Sequence, residues 1–293
     1  MTKQILLLAL FGCLLYVQGS AQSPGTESPA LTQNPEGSNI APKKGTLFIT
    51  PFYEFTRFQK LELISNTNYY HFWDQESSEE LSGDIIDRYN NTYGTEYMNS
   101  LVGIKIGYEV LHGLGIGGHI GISHFNFKSF MSGQNTQSIS TDYPPLTLGL
   151  DVNYNRKITE HLSALALASF NYCTTSSTIY DNTSGMNVIS SSIKSVNYEF
   201  NLALSYNVGH FVPYAGAGFS EQYVNSVSSE QVPTTDDSGN PVFNVVEFDS
   251  QFKGNAFYGF AGIEYLFSQR SSIYLRSSFP NPLRANLGFR IIL

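Results

Sequence analysis

The sequence predicts an all-β protein, an antiparallel up-and-down transmembrane β-barrel of about ten strands, with eight or twelve as the neighbouring counts. Three observations predict it. Apolar residues recur at every second position in some ten segments, as in Val102, Ile104, Ile106, Tyr108 and Val110 interleaved with Gly103, Lys105, Gly107 and Glu109. Short turns alternate with long polar connections between those segments. An export signal opens the chain, and no later run approaches the roughly 18 apolar residues of a membrane helix.

In order along the chain, residues 1–21 read as a secretory signal. Lys3 supplies the positive charge, Ile5 to Val17 the apolar stretch and Gly19-Ser20-Ala21 a small-residue cleavage site. Cys13 follows Leu10-Phe11-Gly12, but Phe11 is bulky for a lipoprotein box and apolar residues continue past Cys13. Residues 22–44, rich in Ser, Gln, Asn, Gly and Pro, carry no periodicity and read as a flexible periplasmic leader. The barrel occupies 45–293, with strands at about 46–58, 99–111, 114–127, 144–157, 161–173, 193–208, 211–224, 254–267, 271–278 and 283–293. His112-Gly113, Ile158-Thr159-Glu160, Gly209-His210 and Ser268-Gln269-Arg270 are tight turns. Long loops are expected at about 59–98, 128–143, 174–192 and 225–253. Phe279-Pro280-Asn281-Pro282 forms a short kinked link, where proline donates nothing to a ladder. Short turns on one side and long loops on the other match outer-membrane barrels.

Composition narrows the class further. Without the signal, Cys173 is the only cysteine, which excludes a fold stapled by internal disulfides. Losing Lys3 leaves 15 Lys+Arg against 24 Asp+Glu, an acidic balance that argues against nucleic acid. Charged residues are 14 % of the chain against a typical quarter, and aromatics also reach 14 %. A soluble β-fold also shows period two, but the polar faces speak against it. They read Thr147, Gly149, Asp151, Asn153, Asn155 and Gly115, Gly117, His119, Gly121, Ser123: small and amide residues suited to a cramped interior. The apolar row Leu146, Leu148, Leu150, Val152 ends in Tyr154, as an interfacial girdle requires.

Phe211-Val212-Pro213-Tyr214-Ala215-Gly216-Ala217-Gly218-Phe219 resembles the Pro-Tyr-x-Gly-x-Gly strand of OmpA-like and porin-like small outer-membrane barrels. Ala285 to Leu293 resembles the terminal strand read by barrel-assembly machinery, although it finishes on Leu293 rather than Phe or Trp. The resemblance covers residues 45 to 293 and implies the outer membrane of a Gram-negative-type bacterium, reached by Sec export. On this reading no peptidoglycan-binding domain of the OmpA type is expected after the last strand.

Placing the polar faces inside puts Glu54, Lys105, Glu109, His119, Asp151, Glu199, Glu264, Arg276, Arg284 and Arg290 in the lumen. The expected arrangement is a lumen ionic network that plugs the barrel, since buried charges are tolerable only when paired. A narrow porin-like pore for small solutes is the alternative; about ten strands lie near the filled end of the size range. Gly113-Leu114-Gly115-Ile116-Gly117-Gly118 matches GxGxxG, but the alternation that follows is a strand and not a helix, so no nucleotide site and no cofactor is expected. His112, His119 and His124 do not converge on one regular strand, so no metal site is expected. An outer-membrane hydrolase or acyltransferase would have to use Ser123 and His124, adjacent residues that point to opposite faces; no catalytic residue is assigned.

The outer loops carry the other candidate surface. Loop 59–98 combines eight acids with seven aromatics, and the two loops 59–98 and 225–253 hold 13 of the 24 acids. Trp73, Tyr69, Tyr70, Asp74, Glu76, Asp236 and Asp237 are its candidate binding residues, for a cationic partner, a sugar or Ca²⁺. Asp236-Asp237-Ser238-Gly239-Asn240 lacks a full spaced-ligand pattern and reads first as a turn. Partners then comprise outer-membrane lipid, barrel-assembly machinery and an extracellular ligand. The expected role is non-enzymatic, structural or surface-binding.

Overall fold

The computed structural model describes residues 45–72, 75–92, 95–131, 135–140, 144–177, 187–268 and 270–293; the signal, the leader, Trp73 and Asp74 lie outside them. Among the described residues, twelve strands and one helix follow in chain order: β1 (Leu47–His71), β2 (Glu76–Glu80), α1 (Gly83–Thr92), β3 (Thr95–Leu111), β4 (Leu114–Met131), β5 (Asn135–Ser140), β6 (Leu146–Lys157), β7 (Leu162–Ser177), β8 (Asn187–Tyr206), β9 (Phe211–Thr235), β10 (Pro241–Ser268), β11 (Ser271–Phe279) and β12 (Leu283–Ile292). Ten of the strands form the wall, in the order β1-β3-β4-β6-β7-β8-β9-β10-β11-β12. The last returns to the first, with Phe48 opposite Ile292 and Arg57 opposite Leu283, and closure leaves no free edge in the wall. β2 and β5 lie outside the ring, paired to β1 and β4.

Period two decides which side meets lipid. Along β6, Leu146, Leu148, Leu150, Val152 and Tyr154 are exposed while Thr147, Asp151, Asn153 and Asn155 are buried. With its apolar row outside and its polar row enclosed, this sheet is stable only in hydrocarbon. Two aromatic belts bound the lipid zone. The lower one includes Tyr154, Tyr206, Phe211, Tyr265, Phe267 and Phe289, with Phe211 and Tyr265 rings 4.9 Å apart. The upper one includes Phe219 and Phe257, 4.9 Å apart, and Phe170, Tyr198 and Tyr223. Phe257, 82 % exposed, projects into the upper interface. The tight turns share the lower end with the start of β1 and the end of β12, which makes that end periplasmic.

Glycines make room inside. A Cβ at Gly107 would stand 2.0 Å from the Phe48 ring, and one at Gly149 would stand 1.8 Å from His119 Cε1. The Gly113–Gly118 match belongs to the β3–β4 turn and β4, and Gly113, at φ 75°, serves the tight turn.

The expected long loops are corrected by the structure. Residues 61–71 continue β1, 76–80 form β2, 83–92 form α1, and 225–253 are the outer arms of β9 and β10 joined by a tight turn. Tyr69, Tyr70 and Glu76 therefore lie in strands, and Asp236 and Asp237 lie in a turn. Likewise 128–143 contains the end of β4 and all of β5, and 174–192 is shortened from both sides by β7 and β8. At about 3.3 Å per residue, the 25 residues of β9 reach about 80 Å, whereas about ten residues cross a bilayer. More than half of β9 and β10 stands outside the membrane.

The two short strands change the shape of the wall. β11 and β12 end at the Pro280–Pro282 link; above it β1 pairs directly with β10, from Glu62 opposite Lys253 to His71 opposite Val245. The wall thus narrows from ten strands to eight. β1 accommodates the change through irregularities at Phe58/Leu61 and Leu63/Ser65, each of which shifts the inward phase by one residue: Phe58, then Leu61 and Leu63, then Asn66.

Candidate functional site

Three layers fill the lumen, and all ten residues assigned to it from the sequence are at most 5 % exposed. The lowest layer is ionic and aromatic, and its hub is Glu199 on β8. Arg284 Nη1 donates to Glu199 Oε2, and Arg276 Nη2 lies 3.7 Å from Glu199 Oε1. The Tyr258 hydroxyl donates to the same carboxylate, and Asn201 Nδ2 donates to it at 2.7 Å. Arg276 also donates to Asn201 Oδ1 at 2.9 Å, and Arg284 to Ser220 Oγ at 2.7 Å. Glu54 on β1 accepts from Asn286 Nδ2 at 3.2 Å. Beneath the guanidinium of Arg276 lies the Phe260 ring, 3.8 Å away, and Arg290 sits 5.4 Å from the Phe48 ring. Three carboxylates, Glu54, Glu199 and Glu264, and three guanidiniums, Arg276, Arg284 and Arg290, balance across the bore, which is what makes their burial tolerable.

On the opposite wall, Lys105 Nζ lies 2.8 Å from Asp151 Oδ2. His119 stands edge-on to Phe52 at 5.7 Å and does not meet His112 or His124, both of which are exposed. Glu109 accepts the Gly113 N–H at 2.7 Å and so braces a periplasmic turn. Glu264 is fully buried on β10. Ser123 is buried against Thr147 while His124 faces outward, so the two do not form a dyad. Among the described residues no cluster of three His, Cys, Asp or Glu side chains is placed to hold a metal.

Above the ions lies a polar chamber lined by Glu54, Thr56, Tyr97, Asn99, Thr147 and Asn171. Tyr97 and Ser195 hydroxyls lie 3.2 Å apart across it. The top layer is apolar and fills the eight-strand neck: Phe58, Leu61, Leu63, Tyr97, Cys173, Ile193, Val224 and Phe252. Helix α1 covers the neck. Ile86 and Tyr89 pack on it, and Asn90 takes the Leu63 N–H and C=O, both at 2.8 Å, at the second irregularity of β1. An eight-stranded ring is just filled by its own side chains, so the neck closes by packing alone.

The outer arms bring together residues the sequence had divided between two loops. Tyr69 on β1 stands opposite Glu247 on β10 and Ser78 on β2; Thr67 stands opposite Asp249 and Glu80; His71 stands opposite Glu76. Opposed residues share a face, so Glu76, Glu80, Glu247 and Asp249 surround Tyr69 on the outward side. His71 Nδ1 lies 3.6 Å from Glu76. Tyr70 is on the other face, its hydroxyl 3.4 Å from Glu79. Asp236 and Asp237 are about 20 Å further along, at the hairpin tip, by strand rise. The Asp236 carboxylate accepts from Asn240 Nδ2 at 2.9 Å and from the N–H groups of Asn240 at 2.7 Å and Ser238 at 2.9 Å. Those bonds, with the Asn240 side chain foremost, hold its carboxyl below the usual range. Sequence reasoning missed Glu80, Glu247 and Asp249 as a group, and it missed the neck. The phase change from Phe58 to Leu61 and Leu63 was the available signal for the neck.

A family model described as the autotransporter beta-domain matches residues 84–278, about two thirds of the chain. The chain belongs to that family. As an autotransporter beta-domain it is an integral β-barrel of a Gram-negative outer membrane. The OmpA-like and porin-like resemblance arrived at the right class of barrel, but the family matched is a different one. No curated protein matches the sequence. Solved structures similar to this beta-domain include the beta domain of the Bordetella autotransporter Brka, at 9 % identity over 86 % of this chain and 100 % of that one, TM-score 0.43. The transport unit of the autotransporter AIDA-I from Escherichia coli matches at 9 % identity over 87 % of this chain and 92 % of that one, TM-score 0.41. The translocator domain of autotransporter NalP from Neisseria meningitidis matches at 8 % identity over 84 % and 88 %, TM-score 0.40.

Proposed function

We propose that this beta-domain works as a sealed barrel that displays its outer sheet, binding a cationic partner on the acidic outward face around Tyr69. The observation that carries the reading is the closed lumen. A solute would have to break the Glu199–Arg284–Arg276 layer and then unpack the apolar neck and α1. The outer arms of β1, β2 and β10, by contrast, hold four carboxylates around one aromatic ring well clear of the bilayer. We hold the role to be non-enzymatic, because the Ser123 and His124 side chains face opposite sides of β4. Ala285 to Leu293 serves as the strand read by assembly machinery on this reading.

The test pairs two measurements on the full chain. Planar-bilayer recording is expected to show no conductance at rest. Glu247→Gln with Asp249→Gln is expected to weaken retention of a Lys-rich peptide on the folded protein while its heat-modifiable gel mobility is unchanged. Steady conductance, or retention unaffected by the double substitution, refutes the proposal. Family membership favours a second reading, export of an attached segment through the barrel. An epitope placed in 22–44 that becomes surface-accessible in cells would support that reading over display.

A further inference from the structure

We propose that the periplasmic rim is a collar for anionic phospholipid headgroups of the inner leaflet of the outer membrane. Each of the four tight turns carries a basic or imidazole side chain: His112 between β3 and β4, His161 between β6 and β7 with Lys157 at the end of β6, His210 between β8 and β9, and Arg270 between β10 and β11. Arg156 adds a further cation at the end of β6. All six are exposed, and Glu160 is the one exposed carboxylate side chain among the described residues of this rim; Glu109 beside it is buried and turned to Gly113. The concentration runs against the composition, since the whole chain carries a formal charge of −8.

Depth identifies the occupant. The collar begins where the lower aromatic belt ends. The His161 ring lies 5.9 Å from Tyr206, and the His210 ring lies 6.1 Å from Tyr265. Arg156 is two residues beyond Tyr154 on the same face of β6. Belt aromatics sit at the headgroup boundary, so the next residues outward meet the phosphates. His210 Nδ1 lies 2.9 Å from the Leu266 carbonyl oxygen, which only accepts, so Nδ1 donates and the ring is held at the rim.

The experiment folds the full chain into phosphatidylcholine vesicles containing a trace of spin-labelled phosphatidylglycerol or spin-labelled phosphatidylcholine. Electron paramagnetic resonance then reads the fraction of each label immobilised at the protein. Phosphatidylglycerol is expected to be selected about fivefold, the factor one basic side chain supplies at an anionic surface. Replacing His112, His161 and His210 by Gln is expected to weaken the selectivity. Adding Arg156→Gln, Lys157→Gln and Arg270→Gln removes the selectivity, while heat-modifiable mobility shows that the barrel still folds. Equal immobilisation of both labels overturns the proposal, as does selectivity that survives all six substitutions. Co-sedimentation with peptidoglycan in the absence of lipid selectivity would assign the collar to a wall polymer and overturns it too.

Discussion

Truncating Glu199 to alanine tests whether the lumen ions hold the barrel together. The carboxylate is 4 % exposed and takes charge-assisted bonds from Arg284 and Arg276, with Tyr258 and Asn201 donating to the same oxygens. Its loss leaves the buried guanidiniums Arg276, Arg284 and Arg290 facing two remaining carboxylates, Glu54 and Glu264. Removing one partner of a buried pair costs about 3–5 kcal/mol, which shifts the unfolding equilibrium on the order of 10²–10⁴-fold. Urea unfolding of the protein folded in vesicles, followed by far-ultraviolet circular dichroism, reads the loss as a lower midpoint at constant slope. Glu199→Ala combined with Arg284→Met is expected to be less destabilised than the sum of the singles, with a coupling of about 0.5–3 kcal/mol. Conductance is expected to stay absent in Glu199→Ala, because the neck above is untouched. A loss under about 1 kcal/mol together with additive singles would refute the reasoning: the bore would then hold enough water to screen the ions.

Phe58→Ala with Phe252→Ala is expected to open the neck; each truncation costs about 3–5 kcal/mol, and small-ion conductance in planar bilayers should appear. Gly216→Ala should destabilise by about 1–3 kcal/mol, because its Cβ would stand 2.0 Å from the Leu202 carbonyl oxygen, a backbone atom. Gly259→Ala is the control: its nearest atoms are 4.0 Å away, and a change within about 0.5 kcal/mol is expected in the same urea assay. At the hairpin tip, Asp236 has a folded pKa below its unfolded value, so its contribution is complete above the unfolded pKa and is lost as pH falls through the folded one. Amide exchange at Ser238 and Asn240 is expected to accelerate relative to intrinsic rates in that acid window and to be pH-insensitive, on the same scale, in Asp236→Asn.

The parts of the fold that touch lipid were legible because the bilayer imposes one rule on every residue there. Leu146 to Tyr154 had to alternate with Thr147 to Asn155, and the structure places those rows outside and inside respectively. The lumen location of Glu54, Glu199, Arg276 and Arg284 followed from the same alternation. The outer arms were not legible. Beyond the membrane both faces of a strand meet water or a half-wet bore, so stretches such as Val227-Ser228-Ser229 and Glu247 to Ser250 carry no period and read as loop. Their strand state comes from pairing: β9 with β10 along a continuous register, and β1 with β10 across 184 residues at Asn66 and Ser250.

By itself, then, the amino-acid pattern determined the class, the membrane, the tight turns, the ten-strand wall and the inward row of charges, since each is a local consequence of burial on one side and lipid on the other. Which charge meets which was decided only by the tertiary structure. So was the narrowing to eight strands where β11 and β12 stop short, and so was the gathering of Glu76, Glu80, Glu247 and Asp249 around Tyr69. These depend on register between strands far apart in the chain, and register is set by where turns and bulges fall around the whole ring.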